Sequence, residues 1–349
     1  MHFYSENLKA FVRDVLIKEG LSTENASIVA ESLVTANLRG VDSHGVTRLP
    51  IYVKRLNSGA VTPNPQVQIV QENDSTLLID GDGGMGQIVG TKAIEMGAKK
   101  AKEHGGVYIG IKNSTHFGTG SFFVQQAINE DLIAFAKSNA PSTMAPWGGV
   151  DPYFGTNPYA FGVPAERNKS IIFDMATSVV ARGKIISAEQ AGEKIPEGWA
   201  IDKQGRPTTN AKDALEGTVL PFAGPKGYAI SLMIDVMSGA LTGAGFGAHV
   251  NNIYGDFDKP QNVGHFFQLI DVNSFMPAEQ FKSRVDQMID EIKKSPKAEG
   301  VEEIFLPGEI EFNNHNHRSK YGINLGREVF DSLKREGEKA EIEIENYMH

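Results

Sequence analysis

The apolar residues of this chain change their spacing once, and that change limits the folds open to it. Over roughly the first sixty residues they recur at steps of three and four. Leu8, Phe11, Val12, Val15 and Leu16 mark one helix ended by Gly20, a second spans about 22–39, and a third runs from the His44 region to Asn57-Ser58-Gly59. After the linker Thr62-Pro63-Asn64-Pro65 the pattern becomes strands alternating with helices. Strands are expected at 76–80, 107–112, 132–137 and 170–173, and helices at 87–104 and 121–129. A helical stretch opens at Pro225-Lys226-Gly227. The region after Phe266 gives a strand, a helix at 278–294, a strand at 302–306 and an acidic helix at 327–347, read as a solvated surface element. This order predicts an α/β, or mixed α+β, fold.

Composition removes several functions. The 349 residues are 40% apolar and 22% charged, a balance suited to a soluble globular chain of one large domain or two ordinary ones. A formal charge of -9 with dispersed cations argues against a nucleic-acid partner. The absence of cysteine excludes disulfides, thiolate metal sites and cysteine nucleophiles, and fits a reducing cytoplasm. Met1 to Ala10 carries no basic patch followed by an apolar run, so no signal peptide is expected. The most apolar long stretch, 227–247, is interrupted by Asp235 and glycines and reads as a buried helix with a glycine-rich turn, giving no membrane role.

The most chemical segment is 42–52. On a helix, His44, Arg48 and Tyr52 fall at four-residue steps and form one polar stripe. A guanidinium grips a carboxylate by two parallel contacts, and an imidazole exchanges protons near neutrality, so with Ser43 the stripe suits a small acid. Such residues on a surface helix also commonly just cover apolar neighbours. Pro50 is expected to kink the helix unless it lies in the first turn. A second candidate, His116, sits past a strand end in Asn113-Ser114-Thr115-His116-Phe117-Gly118, where a rigid sheet fixes side-chain direction.

Other motifs carry less. Gly81-Asp82-Gly83-Gly84-Met85-Gly86 fits the dinucleotide fingerprint G-x-G-x-x-G, but the next strand, ending near Lys112, lacks the acid that holds ribose hydroxyls, which disfavours a Rossmann fold. Asn139-Ala140, Thr156-Asn157 and Asp174 to Ser178 lie in polar turns that present backbone donors, and Lys226 stands at a helix start suited to an anion. His315 and His317 have a zinc-like spacing in a polar loop without a third ligand, so no metal site is assigned.

Seven ordered motifs, Asp42-Ser43-His44-Gly45 with Arg48, the His116 loop, 145–149, 155–158, 173–178, 224–228 and Leu306-Pro307-Gly308, together resemble the type 2 malate/L-lactate dehydrogenase family. That family includes ureidoglycolate, sulfolactate and diketogulonate enzymes. The resemblance implies a homodimeric oxidoreductase using NAD or NADP on a small 2-hydroxy acid, with a non-Rossmann cofactor domain. It implies a helical unit from 1–74 with about 222–255, a cofactor-binding α/β unit from 75–221 with about 256–325, and a helical tail at 326–349. Relatives use the residue matching His116 as proton acceptor, or the one matching His44 as proton donor. It further implies acid binding by Ser43, His44, Arg48, Tyr52 and His116. Cofactor contacts are implied at Asn139, Ala140, Thr156, Asn157, Ile172, Phe173, Asp174, Met175, Ala176, Thr177, Ser178, Lys226, Gly227, Leu306, Pro307 and Gly308. Phe123-Val124-Gln125-Gln126-Ala127 looks like the ureidoglycolate branch, whereas Phe117-Gly118-Thr119-Gly120 looks like malate and lactate members. A zinc hydrolase or lyase using His315 and His317 is a distant alternative.

Overall fold

The computed structural model describes residues 1–348. A two-residue strand β1 (His2–Phe3) precedes helices α1 (Ser5–Lys18) and α2 (Thr23–Leu38). The Ser22 hydroxyl caps α2 by accepting from the Asn25 amide at 3.2 Å. The expected third helix is divided: tight turns at Asp42–His44 and Val46–Arg48 lead into α3 (Leu49–Asn57). Gly45 supplies the extended break between the two turns. Pro50 falls in the first turn of α3, where its missing donor leaves no helical bond unmade, so the axis is not kinked.

The central sheet begins with β2 (Gln68–Asn73) and β3 (Thr76–Gly84), then α4 (Gly86–His104), β4 (Gly106–Ser114), α5 (Gly120–Ile128), β5 (Leu132–Ser138), β6 (Tyr159–Val163) and β7 (Ile171–Met175). An insertion follows in which α6 (Arg182–Ala191), β8 (Ala200–Ile201), β9 (Pro207–Thr208), α7 (Ala211–Glu216) and β10 (Thr218–Val219) enclose a small core with Ile185, Ile195 and Val219. Next come α8 (Pro225–Asp235) with a π turn at Val236–Ala240, β11 (Val263–Asp271), α9 (Ala278–Lys294), α10 (Glu309–Tyr321), β12 (Ile323–Asn324) and α11 (Arg327–Lys339). The seven-stranded sheet runs β2-β3-β4-β11-β5-β6-β7. Within it, β3 and β4 are parallel and every other neighbouring pair is antiparallel. This mixed order differs from the parallel sheet of a Rossmann fold.

Alternation along the strands builds the main core. Val107, Ile109 and Ile111 of β4 and Phe267 and Leu269 of β11 bury one face against Ile94 of α4 and Phe123 and Val124 of α5. Side chains of this size stabilise by about 1.5–3 kcal/mol each when fully buried. A second cluster joins Leu8, Phe11, Leu33 and Leu49 to Phe330, Leu333 and Ile344. The C-terminal helix is therefore not a solvated element: it ends at Lys339 and its apolar side completes the core of the N-terminal helices. The expected grouping of 222–255 with those helices divides, since α8 and its π turn rest on β4, β5 and β11 while Ile253 packs into the N-terminal cluster.

Two more expectations need correction. Residues 302–306 form no strand, because their edge of the sheet is reached only where the Ile172 amide donates to the Pro307 carbonyl at 3.1 Å. His315 and His317 stand on α10, not in a loop. The glycine run at 81–86 makes close packing, not a phosphate loop. A Cβ on Gly84 would lie 2.4 Å from Pro65, and one on Gly86 would lie 2.4 Å from the Thr115 carbonyl. The amide of Gly86 is taken by the Thr115 hydroxyl at 3.2 Å. Among the described residues no helix is long and apolar enough to cross a membrane. Strands β4, β5 and β7 end, and β6 and β11 begin, along one edge of the sheet, beside which the 42–48 turns lie.

Candidate active site

The 42–48 segment is fixed from two sides. Asn37, at the end of α2, donates to Asp42 Oδ1 at 2.6 Å and accepts from the Val46 amide at 2.8 Å. Gly45 permits this approach, since a Cβ there would fall 2.2 Å from Asn37 Oδ1. Arg318 of α10 grips Asp42 from the other side at 2.7 and 3.1 Å. The Arg48 Nε donates to the Ser43 carbonyl at 2.6 Å, which aims the guanidinium while leaving both Nη groups free of hydrogen bonds among the described residues. Tyr254 offers its ring 5.8 Å from the guanidinium carbon. The Ser43 hydroxyl lies 3.0 Å from His44 Nδ1.

His116 stands on the loop after β4, its amide held by Gln261 Oε1 at 2.9 Å. Its ring stacks on that of His44, with centroids 5.5 Å apart and planes 26° from parallel. The expected single stripe is thus replaced by an encounter between two loops. Tyr52, expected against the acid, is buried behind His116 with its Oη 2.7 Å from Nδ1. Gln87 Nε2 donates to the same oxygen at 2.9 Å. Beneath lies His265, fully buried, whose nitrogens are each 2.8 Å from a serine hydroxyl, Ser138 and Ser114. Its ring stacks on Phe117 at 4.9 Å.

Burial sets the protonation of this group. It pushes His44 down to about 4, with the Arg48 charge adding to the effect. Burial first, then the charges of His44, Arg48 and His265, hold His116 well below the usual histidine range. Burial takes the Tyr52 phenol up to about 12 against the smaller opposing influences of Arg48 and Gln87. Near neutrality the pair of imidazoles is uncharged and the phenol keeps its proton, so His116 is chemically a base awaiting a proton.

A cleft of about 2400 Å³ extends from these side chains across the sheet edge. Ser43, His44, Arg48 and His116 line it together with Asn139, Ala140, Thr156, Ile172, Phe173, Asp174, Met175, Ala176, Leu306, Pro307 and Gly308. Six of the residues implied by resemblance lie outside its wall. Tyr52 is behind His116, and Asn157 spends its amide on Ala140 N and the Ser231 carbonyl at 3.1 and 3.0 Å. Thr177 and Ser178 are buried in turns, Gly227 packs on the Phe222 carbonyl, and Lys226 is exposed at the start of α8. His315 and His317 also lie off the wall, and no group of three metal-ligating side chains is found among the described residues. Sequence reasoning missed Asn37, whose amide reaches forward from the end of α2 to Asp42 and Val46, and Gln87, Gln261, His265 and Arg318, whose amides, ring and guanidinium act across large sequence separations without a local pattern.

The chain matches the family model described as malate/L-lactate dehydrogenase over residues 3–334. It is 42% identical over 343 residues to the L-sulfolactate dehydrogenase of Methanocaldococcus jannaschii, covering 98% of each chain. The solved structure of sulfolactate dehydrogenase from that organism superposes with a TM-score of 0.93 over 99% of both chains, at 41% identity. A malate dehydrogenase of Pyrococcus horikoshii is 40% identical over 97% of this chain and 95% of its own. A ureidoglycolate dehydrogenase (NAD(+)) of Escherichia coli K12 is 34% identical over 95% of both. With the mixed sheet and the paired histidines at its edge, these likenesses lead to one conclusion: the chain belongs to the malate/L-lactate dehydrogenase family.

Proposed function

We propose that the protein interconverts a small 2-hydroxy acid and its 2-oxo acid with NAD or NADP as redox partner. The observation that carries this reading is the convergence of His116, stacked on His44, with the open fork of Arg48 on one cleft wall. The free Nη groups of Arg48 receive the carboxylate in a bidentate grip. His44, whose Nδ1 is engaged by Ser43, directs its other nitrogen to the same acid. His116, whose Nδ1 is engaged by Tyr52, exchanges the hydroxyl proton through Nε2, taking it during oxidation when that nitrogen is unprotonated and returning it during reduction.

The opposite wall suits an extended dinucleotide. Gly308, at a φ of 88°, lies so close to β7 that a Cβ would sit 2.3 Å from the Ile172 carbonyl, leaving two backbones flush along the cleft. Arg39 lines the same cleft with its Nε unpartnered and buried, a donor suited to an anionic ligand. Asn139, Ala140, Thr156, residues 172–176 and 306–308 would hold the cofactor. When bound, a nicotinamide ring supplies the hydride acceptor or donor.

Malate, lactate and sulfolactate share the carboxylate and neighbouring hydroxyl that Arg48 and His116 match. Ureidoglycolate is the second reading, supported by the 123–127 segment and the E. coli relative. A homodimer in the cytoplasm is part of the same proposal. The test is a matrix of oxaloacetate, pyruvate, sulfopyruvate and glyoxylate against NADH and NADPH, with ureidoglycolate against both oxidised forms, followed by nicotinamide absorbance. One productive combination is expected; an enzyme inert in every well refutes the assignment.

A further inference from the structure

Resting on that reading, we infer that Gln87 is a positioning residue which, through Tyr52, decides which nitrogen of His116 carries the proton, and thereby whether Nε2 can accept one from the substrate. Gln87 stands in the first turn of α4 and is wholly buried. Its Nε2 donates to Tyr52 Oη at 2.9 Å, while its Oε1 has no hydrogen-bond partner. With that donor occupying one lone pair of the phenol, the phenolic O–H points at His116 Nδ1, 2.7 Å away. Nδ1 is then an acceptor and the neutral ring carries its proton on Nε2. A ring in this form has no lone pair for a substrate proton.

Half a turn of the Gln87 amide reverses the chain. Oε1 then accepts the phenolic O–H, Oη accepts from Nδ1–H, and the Nε2 lone pair is free for the cleft. The orphaned Oε1 gains its missing partner as Nε2 gives up its own, so the two arrangements hold equal numbers of hydrogen bonds. The reversed arrangement also suits the imidazolium, which needs both ring nitrogens to donate. In the oxidation the substrate O–H bond breaks, its proton forms an N–H bond at Nε2, and the carbon-bound hydride leaves to the oxidised nicotinamide cofactor. The ring goes from neutral to cationic without further change in the Gln87–Tyr52 pair. The other groups facing His116 are His44, stacked on it, Arg48 and His265, and all of these oppose a positive charge on the ring. Among its polar contacts, the phenol–amide pair alone favours one.

Two near-isosteric variants separate this role from mere filling of space. Gln87→Met leaves the phenol only Nδ1 as acceptor. It is expected to lower kcat for hydroxy-acid oxidation by roughly 10-fold or more, with KM changed less than about 3-fold, and to move the acidic limb of the pH–rate profile to lower pH. Gln87→Glu supplies an acceptor that accommodates the imidazolium, so the limb moves to higher pH. The assays use malate and L-sulfolactate with NAD and NADP. In parallel, 15N spectra of histidine-labelled protein without cofactor read the His116 ring, assigned by its loss in His116→Gln. The expected spectra show the Nε2–H form fixed in the Met variant and a raised ring pKa in the Glu variant. Limbs and ring signals that stay at the wild-type position in both variants, or shift the same way in both, overturn the inference. If the wild-type enzyme oxidises no acid, the proposed function fails while the ring spectra still decide the link between Gln87 and His116.

Discussion

Replacing His265 by glutamine makes a pH-dependent prediction whose sign and size follow from its surroundings. The ring is fully buried between Ser114 and Ser138 and held neutral, its pKa pushed by burial from 6.5 down to about 3. Above pH 6.5 the folded and unfolded chains bind the same number of protons at this site. Below it the unfolded chain is protonated while the folded one is not, so stability falls by about 1.4 kcal/mol per pH unit and by about 4 kcal/mol in total at pH 3. Glutamine does not titrate and removes that slope. At pH 7 it satisfies only one serine and loses the stacking on Phe117, a combined cost of about 2–4 kcal/mol. The two stability curves should therefore converge as the pH falls and cross between about pH 3.5 and 5. Urea unfolding followed by circular dichroism, at one protein concentration across pH 4–7, measures the difference. His44 is common to both proteins and cancels, while His116 loses the depressing influence of His265 in the variant, which adds to the convergence in acid. A wild-type advantage that is constant with pH, or that widens in acid, would falsify the account of a neutral buried ring.

Three other substitutions and one binding measurement probe the site. Gly45→Ala forces a methyl against Asn37 and should lower stability by roughly 2–4 kcal/mol in thermal or urea unfolding, with weaker acid binding in the residual folded protein. Arg48→Lys should raise KM for the acid about 10-fold or more with little change in melting temperature, because a lysine cannot reproduce a bidentate grip while bonding to Ser43. His116→Asn should reduce kcat by about 10²-fold or more with KM changed only a few-fold; normal turnover would transfer the proton-carrying role to His44. Binding of a 2-oxo acid should be accompanied by proton uptake, read as a buffer-dependent calorimetric heat. The bound carboxylate offsets the Arg48 charge that depresses His116, and heats independent of buffer would contradict this.

Long periodic segments were legible and short or interlocked ones were not. The helix at 278–294 is found with those bounds, since its apolar stripe runs for several turns. Strands β8, β9 and β10 have two residues each and contain no period to read. The four-residue steps from His44 to Tyr52 suggested one helix face, yet Gly45 is extended and the residues meet in another way. His44 reaches His116 by ring stacking across loops, and Tyr52 reaches it from behind. Residue types were informative because guanidinium, imidazole and phenol have few uses together. Their arrangement was not, because Asn37, Gln87 and Arg318 impose it from three separate helices.

The charge distribution explains why these parts make a site for an acid. Arg48 and the two stacked imidazoles bring three nitrogen-bearing groups to one wall, and no carboxylate forms an ion pair with Arg48 among the described residues. Asp42 carries a nearby negative charge, but its ion pair is with Arg318 at 2.7 Å. Burial strengthens the mutual repulsion and drives both histidines to the neutral form, so beside them Arg48 stands without an ion-pair partner next to a base that cannot easily keep a proton. An incoming carboxylate supplies the missing negative charge. The same event that anchors the substrate then lets His116 hold the proton it must exchange, which couples recognition of the acid to readiness for its chemistry.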